Sequence, residues 1–165
     1  MKRTLIATSL MLLPFFASAQ WITNVDDDLF SGGKKATLVA TIDDGLDQGL
    51  AFDCTKDSLT FAYIEKGTEL GSAAIPIKML AKVDSGEVIN FQAKTIQRNS
   101  QYSAAETSDE EAIKMLLIQA SKAKNKLLVG LTVPEIDFKQ SYSIPVNGSS
   151  SAVAKFVKAC EIKLN

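Results

Sequence analysis

Between residues 35 and 42 apolar and polar side chains alternate. Ala36, Leu38, Ala40 and Ile42 share one side, and Thr37 and Thr41 the other. Period two marks a strand with one buried face, and Asp43-Asp44-Gly45 follows with turn chemistry. Residues 50–54 and 59–65 read as the next strands. In the second, Leu59, Phe61 and Tyr63 oppose Thr60, Ala62 and Ile64. Both sides are moderately apolar, which suits a central strand covered on both faces. Residues 76–84 alternate Ile77, Met79, Ala81 and Val83 against Lys78, Leu80 and Lys82. After Asp84-Ser85-Gly86-Glu87, residues 88–95 place Ile89, Phe91 and Ala93 on one face, so the two runs predict an antiparallel hairpin.

The period then changes. Ile113, Leu116, Leu117 and Ala120 recur at helical spacing, with Met115 and Ile118 widening the stripe. This predicts a largely buried helix packed on the sheet. Ser108 and Glu111 have capping-box spacing. Asp109, Glu110 and Glu111 charge the first turn, and Lys122 and Lys124 the end, as the helix dipole favours. Residues 126–133 form an apolar strand stopped by Pro134. Residues 137–146 alternate Phe138, Tyr142, Ile144 and Val146 against Lys139, Ser141 and Ser143. A short helix over residues 151–160 carries Val153, Phe156, Val157 and Cys160 on one face. The sum is a mainly β fold: an antiparallel β-sandwich or partial barrel with one buried helix and a short C-terminal helix, with α+β as the alternative.

The N-terminus has another logic. Met1-Lys2-Arg3 is cationic, residues 4–16 are apolar and uncharged, and Ala17-Ser18-Ala19 is small. That is a secretory signal peptide, with cleavage expected after Ala19. The apolar run is short for a membrane span and contains Pro14. The chain therefore divides into a signal peptide over 1–19 and a single β-rich domain over 20–165, periplasmic or secreted, with no membrane span after cleavage. Losing Lys2 and Arg3 moves the formal charge of −1 two units further negative. A weakly acidic domain is a poor partner for nucleic acid.

In an exported chain the two cysteines, Cys54 and Cys160, read as a disulfide. Histidine is absent, which excludes His-based triads and the ordinary zinc sites. No catalytic residue, metal or cofactor is assigned. Asp26, Asp27 and Asp28 lack the spacing of a calcium loop and read as a solvated acidic turn. Together with Asp43, Asp44 and Asp47 they would form an acidic patch for a cationic partner, if the loops lie at one end of the sheet. Trp21 is expected to pack over the sheet or core. Residues 97–107 are polar and aperiodic. They read as a loop before the helix, with Arg98 and Tyr102 as its candidate binding residues.

The order of features, from Trp21 and the acidic run through Leu50-Ala51-Phe52-Asp53-Cys54 and Leu59-Thr60-Phe61-Ala62-Tyr63-Ile64 to a final helix ending in Cys160, resembles invasion-associated locus B proteins and type VI secretion accessory proteins. It departs from them at Tyr142-Ser143-Ile144-Pro145-Val146-Asn147-Gly148, where such proteins often place a glycine near the strand before the last helix. The resemblance implies a non-enzymatic exported β-sandwich with one disulfide that acts by contact with another protein. The expected function is thus a non-catalytic domain binding another envelope or secreted protein. The alternatives are a cell-wall or glycan-acting enzyme using carboxylates and a small-ligand carrier with a cavity inside the sheet.

Overall fold

A computed structural model of the chain describes residues 20–30, 32–42, 47–67 and 74–164. The expected signal peptide, Asp43 and Asp44 lie outside these residues. The described residues form nine strands whose inward residues, large in all but β7, alternate with mostly polar outward ones: β1 (Trp21–Asp28), β2 (Gly33–Thr41), β3 (Gln48–Thr55), β4 (Ser58–Lys66), β5 (Pro76–Val83), β6 (Ile89–Gln97), β7 (Tyr102–Thr107), β8 (Lys126–Val133) and β9 (Phe138–Pro145). Helix α1 (Glu110–Ser121) joins β7 to β8, and α2 (Ser149–Ala159) follows β9. All strands belong to one antiparallel sheet, ordered β1-β2-β3-β4-β7-β6-β5-β8-β9.

The sheet curls into a half-barrel, the partial-barrel form of the expected fold. β1 and β9 stand at opposite edges, yet the indole Nε1 of Trp21 donates to the Pro145 carbonyl at 2.7 Å. Tyr63 on β4 and Tyr142 on β9 stack across the interior with centroids 5.1 Å apart, their hydroxyls 2.8 Å from each other. Burial of the Tyr63 ring, and then the Tyr142 hydrogen bond, push its phenol far above the usual range.

The trough is filled by an aromatic row and the two helices. Trp21 stacks on Phe52 at 6.4 Å, Phe52 on Phe61 at 4.6 Å, and Phe61 meets Phe91 at 5.1 Å. Full burial of each such ring contributes about 1.5–3 kcal/mol. Helix α1 buries Ile113, Leu116, Leu117 and Ala120, and α2 buries Ala152, Val153 and Phe156. Polar ties fix α2 in place. Ser149 Oγ donates to Ala120 O at 2.9 Å, Thr23 Oγ1 to Ala152 O at 2.7 Å, and Lys155 Nζ to Thr23 O at 2.8 Å. The Cys54–Cys160 disulfide, with Cα atoms 6.1 Å apart, locks the end of α2 to β3.

Four local expectations are corrected. Asp26, Asp27 and Asp28 are not a turn. They end edge strand β1, because Asp26 and Asp27 stand opposite Lys35 and Lys34, and Asp27 forms an ion pair with Lys34. Residues 97–107 are not a loop but the end of β6, a tight turn and the interior strand β7. The cap of α1 is Asp109, whose carboxylate accepts from the Ala112 amide at 3.2 Å, and not Ser108. Helix α2 starts at Ser149, two residues before its expected start, after Gly148 takes a left-handed φ of 84°.

Candidate functional site

Core residues alternate with a second set that points away from the trough. On that outer face Ala51, Ala62 and Ala104 are buried although they lie outside the core cluster. Across the same face runs a polar brace. Asp53 on β3 accepts from Thr37 Oγ1 at 2.7 Å and, through its other oxygen, from Arg98 Nη2 at 2.7 Å. Arg98, the residue after β6, therefore spans the two intervening strands, whose outward Ala62 and Ala104 are buried. Glu106 on β7 belongs to the same group. Burial raises its pKa above the usual carboxylate range and the nearby Asp53 charge adds to this, while Arg98 and Lys94 oppose it.

This geometry reassigns the residues singled out in the sequence. Arg98, in the turn after β6, is a largely covered member of an ion pair, its side chain 23% exposed. Tyr102 opens β7 opposite Lys66. Its carbonyl accepts from the Arg98 and Asn99 amides, and its amide donates to Asn99 Oδ1 at 2.9 Å, so the turn between them is a bonded hairpin. Asp26 shares an outer groove with Lys35, Thr37 and Asp53. Asp47 pairs with Lys66 at 3.1 Å, at the end of the sheet opposite Asp26–Asp28, so these four acids do not form one patch. Trp21 packs in the core as expected, 2% exposed. Among the described residues no cluster of three or more His, Cys, Asp or Glu is placed to hold a metal ion, and no helix is long and apolar enough to cross a membrane.

The open end of the trough keeps a small recess of about 160 Å³ between Tyr63, Thr95, Ala105, Leu131 and Phe138. The hairpin joining β1 to β2 instead projects apolar surface. Leu29 is 91% exposed and Phe30 fully so. The sequence pattern missed this pair, although Leu29-Phe30 between an acidic run and Gly32-Gly33 is a visible signal: two large apolar residues at a turn. Comparison with protein families, curated proteins and solved structures finds no match to this chain. The fold and its surface define a class in physical terms only: a one-disulfide antiparallel half-barrel with two helices in its trough.

Proposed function

We propose that this chain is an exported, non-catalytic protein-binding domain of the bacterial envelope, in a secretion accessory, virulence-associated, immunity or inhibitor role. The observation that carries it is the hairpin tip. Exposing a leucine and a phenylalanine side by side brings the isolated protein no burial, and such residues gain most when a partner covers them. The disulfide suits an oxidising compartment outside the cytoplasm. The trough supports a contact role better than a carrier role, because among the described residues side chains and helices fill its middle, leaving a recess of about 160 Å³ at one end and open recesses of about 360 and 420 Å³ beside the disulfide at the other. Glu106 gives the enzyme alternative one carboxyl of raised pKa, but on an open sheet face beside Arg98 rather than across a cleft from a second acid.

The test is affinity capture by the tagged protein from the cells that make it, alongside a Leu29→Ser/Phe30→Ser variant. One stoichiometric protein partner, lost with the variant while the melting temperature is unchanged, supports the binding role. Failure to capture any partner rejects it.

A further inference from the structure

Charge divides the outer face of the sheet. Strands β5, β6, β8 and β9 carry Lys78, Lys82, Lys94, Lys126 and Lys139 and not one carboxylate. All five point away from the trough, since they alternate with inward residues such as Met79, Ala81, Phe91, Leu127 and Ile144. Lys139 pairs with Asp137 at 2.7 Å, and Lys94 borders Glu106. Lys78, Lys82 and Lys126 have no ion pair among the described residues. Strands β1 to β4 lack that excess: their outer face sets Asp26, Asp28 and Asp53 against Lys35 and Lys66, while Asp27, Glu65 and Lys34 fall on the trough side. The chain's net charge of −1 conceals this separation.

The basic half ends in an open edge. β9 pairs with β8 alone, and Phe138, Lys139, Gln140 and Ser141 are all exposed. The other edge is partly covered, because α2 packs on β1 and Lys155 occupies the Thr23 carbonyl. An uncovered strand offers a row of backbone donors and acceptors to an incoming strand. Beside this edge lies a shallow outer recess of about 360 Å³. Its floor is Leu80, left accessible by Gly130 and Ser141. A Cβ on Gly130 would meet the Leu80 side chain in ordinary van der Waals contact at 3.7 Å and cover part of this floor.

We propose that β9 accepts an extended acidic segment of a partner protein as an added strand. Backbone pairing to residues 138–141 holds the segment. An acidic side chain lies against Lys139 and the lysines behind it. Two residues along on the same face, a long apolar side chain crosses Ser141 into the recess. A second copy of this chain does not fit the edge, because two-fold pairing of β9 with β9 would join two lysine faces into one. The inference adds a surface to the hairpin tip, and it rests on the proposed binding role only in taking the partner to be a protein.

The test is an NMR titration of the disulfide-bonded protein with the peptide Thr-Glu-Thr-Leu-Thr-Glu-Thr-Leu. Three probes accompany it: a version with Lys for Glu, a version N-methylated at alternate amides, and anionic phospholipid vesicles. The expected result is saturable binding with amide shifts confined to residues 128–144. Kd should rise at least tenfold for the Lys and N-methylated peptides, and for the peptide with the Lys78→Glu/Lys139→Glu variant. Equal binding of the N-methylated peptide, shifts elsewhere, no binding at millimolar peptide, or binding to vesicles alone each overturn the proposal. Vesicle binding alone would make the lysines a lipid-facing surface. A protein captured through Leu29 and Phe30 alongside a failed peptide titration would reject the open edge and leave the binding role standing. Peptide binding with no captured partner would do the reverse.

Discussion

Replacing Cys54 and Cys160 together by alanine removes a cross-link between residues 106 apart. The entropy of closing that loop in the unfolded chain corresponds to about 4.8 kcal/mol. A domain of this size is stable by about 5–15 kcal/mol, so the loss is a large share of the total. With a urea m-value of about 2 kcal/mol/M, the unfolding midpoint should fall by about 2 M, and the slope should rise rather than fall because the freed unfolded chain exposes more surface. Trp21, the one tryptophan, is buried against Phe52 and reports the transition by fluorescence. The folded baseline should be retained, because Phe156, Val153 and the Thr23 and Ser149 bonds hold α2 independently. Reduction of the unmodified protein should reproduce most of the shift, since it removes the cross-link and keeps the sulfurs, which separates loop entropy from side-chain packing. A midpoint that moves by less than about 0.3 M in both would refute the assigned role of the bridge.

Trp21→Phe keeps an aromatic ring over Phe52 but leaves the Pro145 carbonyl without its indole donor. A loss of about 1–2 kcal/mol is expected by urea denaturation, and an unchanged midpoint would contradict the edge-to-edge tie. Glu106→Gln should raise the melting temperature at neutral pH. The folded pKa of Glu106 lies above its unfolded value, so its ionisation costs stability as pH rises through that interval, and the full cost persists above it. The gain from Gln should therefore vanish in acid below the ordinary carboxylate range. A gain independent of pH would reject the assignment. Gly49→Ala forces a Cβ to within 2.8 Å of the Ala40 carbonyl oxygen between β2 and β3. That overpacking should cost about 1–3 kcal/mol, and a neutral variant would show that the two strands separate easily.

What the sequence disclosed depended on side-chain size and on distance along the chain. The β5–β6 hairpin and β2, β4 and β8 were readable because large apolar residues alternate within each run. β7 was not, because its inner face offers only Ser103, Ala105 and Thr107. Phe61 and Phe91 supply the volume there, and the Arg98 side chain crosses the opposite face. β1 was hidden by its aspartates, whose charge is met by Lys34 and Lys35 on the next strand, beyond any local pattern. Ser108 and Asp109 are both competent caps. The choice fell to the residue whose carboxylate reaches the Ala112 amide. Arg98 was legible as a residue of interest, but its partner Asp53 lies 45 positions away and only the folded sheet brings them together. The lysine face was half visible, since Lys78 and Lys82 already alternate with core residues in sequence. Strand order was needed to set Lys139 and Lys126 beside them.

The binding role is tested most directly by placing a photo-crosslinking phenylalanine analogue at Phe30 and irradiating the protein in the cells that make it, with the same analogue at the exposed Met115 of α1, away from both the hairpin tip and the β9 edge, as control. One dominant crosslinked protein is predicted from position 30 and none in common with position 115. An empty lane at position 30, or the same set of products from both positions, would contradict it.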